Sequence, residues 1–427
     1  MAPGPEEFHR LVETGVWPMQ YLRRICLALA VVSAVACGVD AADWPQFRGP
    51  NRDGTSPETG LLKQWPVGGP KELWSCQNLG EGFSSLAIAD GMVYVCGMIR
   101  GQGHLFAFDP NGTLRYDVIY GPEWTKTGNY PGTRTTPTID GDRLYLMSGQ
   151  GRIACYKAKT GEPVWQVDTL GKFKGKNIRW GIAESVLIDG EKAICTPGGA
   201  NATVVALNKR TGETVWTSEG LSQLSAYCAP VLVERGSNRL ILTLVEKALI
   251  GLDANTGKVH WMVPHEVSYD IQAVSPLYHD GMVYVTNAYH HGGQSFLLAP
   301  DGMGVEKKWE EKSLDVHHGG VVLVDGNIHG ASSAGRWTCL ELASGKVKFS
   351  SKLVGKGSAL YVGGRLYAYG EKGEIALVKI NADGYEQVGS FRIRKGSKEH
   401  WAHPALSNGR LYVRHGEALL CYDIKAR

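Results

Sequence analysis

Short apolar runs alternate with glycine-containing turns along most of the chain. An x-Gly dipeptide, usually Asp-Gly, recurs at intervals of roughly 45 to 50 residues, with one shorter step before Gly364. Asp-Gly between alternating apolar runs is a strong signal for a β-hairpin. The recurring glycines are Gly91, Gly141, Gly190, Gly236, Gly281, Gly326, Gly364 and Gly409. The pattern therefore predicts eight repeats with a hairpin at the same place in each.

Each repeat continues with a third apolar run and a second glycine turn, as in "TVVALNKRTG" and "ALIGLDANTG". An aromatic residue often follows four positions after that glycine, as in Trp165, Trp216 and Trp261. Four short antiparallel strands per repeat are typical of a propeller blade. The sequence predicts an all-β, eight-bladed β-propeller in which the recurring tryptophan packs between neighbouring blades.

The eighth repeat ends at "LLCYDIKAR", before its final aromatic strand. A matching segment, "GGPKELWSCQN", stands near the start of the chain, with Trp74 in the aromatic position. We expect residues 71–77 to supply the outer strand of the last blade, which removes the open edges of the ring. Residues 42–427 are accordingly predicted to form a single domain.

The N-terminal region has the pattern of an export signal. Arg23 and Arg24 precede the apolar run 25–36, and Val39-Asp40-Ala41 resembles a cleavage site. Residues 1–41 are interpreted as an extension and signal peptide, with Met19 as the true start. The apolar run is too short to span a bilayer as a stable anchor. These features predict a periplasmic protein without a transmembrane segment in its mature form.

Cys37 offers an alternative anchor, because "AVAC" is a weak lipobox and would make the protein a lipoprotein. Seven cysteines lie outside the signal, none in a Cys-x-x-Cys pair, which argues against a zinc ribbon or a redox dithiol. Cys155, Cys339 and Cys421 share one repeat position and are expected to be small buried side chains.

Composition narrows the choice of partners. The chain has 55 glycines among its 427 residues, which fits many tight turns. Its net charge of +3 is too small to indicate nucleic-acid binding. We therefore expect a monomer that engages envelope proteins, a small molecule or a polymer.

The repeat "A-L-D-A-x-T-G-x-x-x-W" resembles the PQQ-like repeat of quinoprotein alcohol dehydrogenases and of outer-membrane assembly factor BamB. The segments "DWPQFRGPNRDG" and "HHGGVVLVDG" are similar to bacterial proteins labelled polyvinyl-alcohol-dehydrogenase-like. The resemblance covers nearly the whole mature chain. It implies the propeller fold without specifying a function, because one fold hosts many kinds of site.

Polar and aromatic residues precede several of the predicted innermost strands. Because these segments converge on one end of the central channel, they form the candidate binding site. The predicted site residues are Arg134, Trp180, Glu184, Tyr227, Gln272, His317, His318, His400, Trp401 and His403. Structural roles compete with binding at each of these positions. No metal site is predicted, because adjacent histidines on a strand point to opposite faces.

The resemblance implies one enzymatic alternative, a PQQ-dependent alcohol or polyol dehydrogenase with Ca²⁺. Trp180 could stack on the quinone, Arg134 could pair with a carboxylate, and Glu184 with Asp270 could hold the cation. The chain lacks the vicinal cysteine pair and the haem motif of that family. The sequence therefore favours a binding or scaffold module in the cell envelope, with no catalytic residue assigned.

A third hypothesis is carbohydrate or polymer binding by aromatic residues at this end of the central channel. Trp124, Tyr130 and Trp180 could stack on sugar rings in that case.

Overall fold

The computed structural model describes residues 43–125 and 130–426. Their strands form eight separate sheets, and Ala42–Arg427 make up one compact unit. The prediction of an eight-bladed, all-β propeller is confirmed. The predicted signal peptide and Cys37 lie outside the described residues.

Each blade is an antiparallel sheet whose strands follow in chain order from the inside outward. Blade 1 comprises Leu86–Ala89, Met92–Ile99, Gln102–Phe108 and Leu114–Pro122, and blade 2 comprises Thr138–Asp140, Arg143–Met147, Arg152–Lys157 and Pro163–Asp168. Blade 3 comprises Leu187–Asp189, Lys192–Cys195, Val205–Asn208 and Thr214–Thr217, and blade 4 comprises Val231–Arg235, Asn238–Val245, Ala248–Asp253 and Val259–Pro264.

Blades 5 to 7 follow the same plan, and a short N-terminal strand adds in parallel to the inner strand of blade 7. In blade 8 an N-terminal strand takes the outer position. Blade 5 comprises Leu277–His279, Met282–Asn287, Gly292–Leu298 and Val305–Glu311, and blade 6 comprises Val321–Val324, Asn327–Ala331, Arg336–Glu341 and Val347–Lys352. Blade 7 comprises Gly357–Val362, Arg365–Gly370, Glu374–Ile380 and Tyr385–Arg392, with Thr55–Ser56. Blade 8 comprises Ala405–Ser407, Arg410–His415 and Ala418–Asp423, with Lys71–Cys76.

The core lies between the blades. Buried apolar side chains fall into clusters that each join neighbouring blades, such as Leu249 of blade 4 with Phe296 of blade 5. Two helical segments also occur among the described residues, the α-helix Thr169–Phe173 and the 3₁₀ turn Ser268–Asp270. No helix in the described part of the chain is long and apolar enough to cross a membrane.

The recurring tryptophan packs on the glycine turn of the following blade. Trp165 of blade 2 donates from its indole nitrogen to the Lys209 carbonyl of blade 3, at 2.9 Å. A Cβ atom added at Gly212 would lie 2.8 Å from the Trp165 ring. The Thr-Gly turn thus needs glycine both for its positive φ and for the close approach of an indole.

The ring closes as predicted. Strand Lys71–Cys76 pairs antiparallel with the last strand, Ala418–Asp423, and Trp74 stands opposite Cys421. Trp74 also donates to the Pro110 carbonyl of blade 1, at 2.9 Å. The N-terminal strand therefore completes blade 8 and holds it against blade 1.

The cysteines outside the predicted signal are free thiols. Cys155, Cys339 and Cys421 are fully buried, as expected for small apolar side chains in a strand.

Candidate functional site

An N-terminal arm, residues 44–62, occupies the channel on the axis of the propeller. Trp44 and Ile88 of blade 1 exchange two backbone hydrogen bonds of 2.8 Å. The arm then pairs in parallel with the inner strand of blade 7 through Thr55–Ser56. It leaves at blade 8, where the Leu62 N–H donates to the Ile424 carbonyl at 2.8 Å.

Two buried arginines fasten this arm to the inner strands. Arg48 donates to the Val321 carbonyl of blade 6, and Arg52 donates to the carbonyls of Ser185 in blade 3 and Pro230 in blade 4. Innermost strands have one unpaired edge, so these guanidinium groups satisfy carbonyls that the sheets leave free. Burial lowers the pKa of each arginine to about 10, which leaves both charged at neutral pH.

A cavity of about 340 Å³ opens at the end of the channel where the chain enters the inner strands. We call it the mouth cavity. Seven of the ten predicted site residues line it: Arg134, Trp180, Tyr227, His317, His318, Trp401 and His403. The structure thus brings together side chains from blades 2, 3, 4, 6 and 8.

Aromatic rings form two walls of the mouth cavity. On one side, the Trp401 ring lies 4.6 Å from Tyr130 and 5.1 Å from Phe83, measured between centroids. On the other side, Trp180 lies 6.1 Å from Tyr227. Rings at these separations offer flat apolar faces on which a planar group can stack.

The charged side chains that line the mouth cavity are cationic. Arg134 donates to the Tyr130 and Gly132 carbonyls, and no carboxylate of the described residues forms an ion pair with it. Burial lowers the pKa of Arg134 to about 10, so the guanidinium stays charged. Lys356 is paired with Glu371 at 2.8 Å. Because no aspartate or glutamate among the described residues lines the cavity, it favours an anionic ligand.

The histidines of the mouth cavity are neutral at physiological pH. Burial lowers the pKa of His317 to about 4 and that of His403 to about 3, and it depresses the pKa of His318 strongly. His317 Nε2 lies 3.2 Å from the Tyr289 hydroxyl, and its Nδ1 lies 3.4 Å from His318 Nδ1. These imidazoles can donate or accept single hydrogen bonds without adding charge.

Three predicted site residues do not line the mouth cavity. Glu184 accepts from the Thr196 N–H, Gln272 donates to the Val245 carbonyl, and His400 Nδ1 lies 2.6 Å from the Tyr369 hydroxyl. The reason is alternation in extended chain, where successive side chains point to opposite sides. Ala183 and Ser185 face the cavity, so Glu184 between them points away.

The same alternation places Gln272 away from the cavity, because its neighbours Ile271 and Ala273 face it. Asp270 is held by Lys247 at 2.6 Å. The hypothetical pairing of Glu184 with Asp270 around a cation is therefore not the observed arrangement. Within residues 43–125 and 130–426, no three His, Cys, Asp or Glu side chains are grouped to hold a metal ion.

Sequence reasoning missed several lining residues, among them Phe47, Tyr289 and Lys356. Lys356 directly precedes the inner strand of blade 7, so applying the rule used for the other blades to this repeat would have found it. Phe47 comes from the arm, and Tyr289 from a hairpin turn between the second and third strands of blade 5. Neither of these positions belongs to a segment that enters an inner strand.

Three tyrosines at or beside the mouth cavity have a left-handed backbone conformation. Tyr130, Tyr269 and Tyr289 have positive φ values of 62°, 61° and 61°. The left-handed conformation costs a residue with a side chain roughly 1–2 kcal/mol. Tyr269 and Tyr289 are 60% and 41% exposed, and their rings lie 5.3 Å apart. Strained, exposed aromatic residues at one rim are typical of a binding surface.

Residues 101–351 match the sequence model of a protein family described as outer membrane protein assembly factor BamB. The chain belongs to this family. No match was found among curated proteins.

Solved structures share the fold at low sequence identity. BamB from Moraxella catarrhalis is 17% identical with a TM-score of 0.59, and the alignment covers 84% of this chain and 98% of BamB. A europium-containing methanol dehydrogenase is 11% identical with a TM-score of 0.63, over 88% and 90% of the two chains. Quinohemoprotein alcohol dehydrogenase ADHIIG from Pseudomonas putida HK5 is 12% identical with a TM-score of 0.61, over 90% and 81%. These likenesses establish the fold.

Proposed function

We propose that the protein is a binding module of the cell envelope, and that it holds a flat, anionic ligand in the mouth cavity. The observation that carries this proposal is the combination of two aromatic walls with the charged Arg134, which forms no ion pair with a described carboxylate, in one cavity of about 340 Å³. The volume lies in the range of small-molecule sites. A protruding group of a partner protein with the same chemistry would satisfy the same contacts.

The placement in the envelope rests on two supports. The family description names outer-membrane assembly, and the sequence predicts an export signal in residues 1–41. The named relative BamB supports a protein partner, whereas the named dehydrogenases support a small molecule.

The residues around the mouth cavity do not fit a Ca²⁺-bound quinone. Ca²⁺ prefers six to eight oxygen ligands, carboxylates among them, and no carboxylate side chain in the described part of the chain lines this cavity. The nearest sequence candidates, Glu184 and Asp270, are bonded to Thr196 and Lys247 instead. An aromatic anion by itself agrees with Trp401, Trp180 and Arg134.

Carbohydrate binding has weaker support. Tyr130 and Trp180 line the mouth cavity, but Trp124, the third proposed stacking residue, is buried and lies outside it. The lining residues offer hydroxyl and imidazole groups and lack the Asp, Glu, Asn and Gln side chains that would bind pairs of sugar hydroxyls.

The proposal is tested with two fluorescent probes that differ mainly in one charged group. 8-Anilinonaphthalene-1-sulfonate carries a sulfonate, and N-phenyl-1-naphthylamine is neutral. We expect the protein to bind the sulfonate at least about tenfold more tightly, equivalent to about 1.4 kcal/mol. Arg134→Gln should remove this preference, and Trp401→Ala should weaken both probes.

Arg115→Gln is the matched control, because Arg115 is an exposed arginine on an outer strand of blade 1. It should leave both affinities unchanged. Pyrroloquinoline quinone with and without Ca²⁺ forms a third arm of the titration. The proposal is wrong if neither probe saturates, or if R134Q keeps the preference. Ca²⁺-dependent quinone binding with alcohol oxidation would favour the dehydrogenase instead.

A further inference from the structure

The floor of the mouth cavity is built by the N-terminal arm. Phe47 is the arm residue that lines this cavity, and its ring centroid lies 5.0 Å from that of His403 in an edge-on arrangement. Phe47 is only partly buried, so its ring is not committed to the core. The site is therefore assembled from the propeller and from a segment that is not part of any repeat.

Arg48, the next residue, fixes the orientation of His403. Arg48 Nη1 lies 3.4 Å from His403 Nδ1, and His403 Nε2 lies 2.8 Å from the His318 carbonyl. A guanidinium only donates and a carbonyl only accepts, so Nδ1 accepts and Nε2 carries the proton. The arm thus selects the tautomer of a cavity histidine.

A second cavity of about 570 Å³ lies on the other side of the arm. It is lined by Arg48, Asn51 and Arg52 of the arm and by Asp325 and Gly326 at the first turn of blade 6. That turn joins the inner strand to the second strand, at the channel end opposite the mouth cavity. The arm therefore divides the channel into two compartments.

We propose that the arm is part of the ligand site, in which Phe47 sets the depth of the mouth cavity and Arg48 positions His403. This inference rests on the proposed function, and it assigns a ligand-contacting role to the "DWPQFRGPNRDG" motif that the repeats leave unexplained. The ligand stacks between the aromatic walls and ends against the Phe47 ring. The arm closes the channel behind Phe47, so a rigid ligand cannot reach deeper than this ring.

Rigid aromatic carboxylates of increasing length test the depth of the cavity. Biphenyl-4-carboxylate and p-terphenyl-4-carboxylate differ by one ring and share the anionic end. We expect the wild-type protein to prefer the shorter rod. Phe47→Ala should improve the affinity for the longer rod, relative to the shorter one, by at least about tenfold, and Phe47→Leu should give an intermediate ratio.

Phe83→Ala is the control, because Phe83 belongs to a side wall of the same cavity. It removes the same group without deepening the site, so both rods should weaken and their ratio should stay constant. An unchanged ratio in F47A, with a protein that melts cooperatively, would overturn the inference.

Crystals of the wild type and F47A under xenon pressure decide the inference independently of ligand binding. If the wild type binds neither rod, the proposed function fails on its own. Xenon at the position vacated by the phenyl ring, continuous with the mouth cavity, would still establish that Phe47 limits its depth. Collapse of the arm or of His403 into that space would contradict it.

Discussion

Single residues at the mouth show how alternation decides what a polar side chain can do. Glu184 lies between two cavity-lining residues, yet its side chain is buried on the other side, near Arg52 of the arm. Burial raises the pKa of Glu184 to about 7, against an ordinary value of 4.5. The buried carboxyl therefore titrates close to neutrality, although it does not belong to the cavity.

Glu184→Gln should reveal this titration. Since the folded state holds the proton more tightly, stability present below about pH 4.5 is lost as pH rises through about 7. E184Q cannot lose a proton, and its amide oxygen can still accept from Thr196. We expect its advantage over the wild type in unfolding free energy to grow by at most about 2.5 kcal/mol between pH 5 and pH 8.5. Urea unfolding of both proteins across this range measures the difference. A difference independent of pH would contradict the assigned titration.

At the scale of the element, a glycine turn leads into the outer strand of several blades. Gly257 has φ of 74°, and a Cβ atom there would lie 2.4 Å from the Trp216 ring of the preceding blade. The glycine requirement therefore has two parts, the left-handed backbone and the contact with the indole. Both parts come from the motif Thr-Gly-x-x-x-Trp, because the glycine of one repeat contacts the tryptophan of the preceding repeat.

Gly257→Ala and Gly364→Ala separate the two parts. Gly364 also has φ of 74°, but apart from its chain neighbours no atom of residues 43–125 or 130–426 lies within 4 Å of its added Cβ. G364A should cost about 1 kcal/mol from backbone strain alone. G257A should cost a further 1–3 kcal/mol, approximately, because the indole must move. Denaturant unfolding gives both values, and equal losses would show that the indole contact carries no weight.

At the scale of the whole molecule, the ring is held closed by a strand from the opposite end of the chain. Trp74 repeats the arrangement seen between other blades, with a Cβ at Gly112 placed 2.5 Å from its ring. Trp309 of blade 5 has the same relation to Gly345, also at 2.5 Å, and donates to the Leu342 carbonyl at 3.0 Å. The two tryptophans differ in how their strands are attached. A short turn joins the strand of Trp309 to the rest of blade 5, whereas the strand of Trp74 is held on blade 8 by pairing with a strand distant in sequence.

Trp74→Ala and Trp309→Ala should therefore differ in consequence. Both remove a half-buried indole between blades, and each should cost less than the roughly 3–5 kcal/mol of a fully buried tryptophan. W74A should also open the ring, because no hairpin keeps Lys71–Cys76 on blade 8. Hydrogen exchange should then rise in Lys71–Cys76 and Ala418–Asp423 in W74A, whereas W309A keeps these strands protected. Protection of both strands in W74A would show that pairing alone closes the ring.

The sequence by itself determined the blades and their number. Hairpin turns and the tryptophan after each Thr-Gly turn are local signals, and their period fixed eight sheets, the ring closure through Trp74 and the segments that reach the mouth. Seven cavity residues could also be predicted, because the segments that enter the inner strands converge on the axis.

Only the tertiary structure decided which way individual side chains point and what fills the axis. Three predicted residues point away from the mouth cavity: Glu184, Gln272 and His400. Side chains near the start of a strand alternate between two sides, and the repeat pattern does not specify which residue of the segment faces the cavity. The arm contributes Phe47 through contacts with blades distant in sequence. Such long-range packing has no local pattern, so the floor of the mouth cavity could be seen only in the folded molecule.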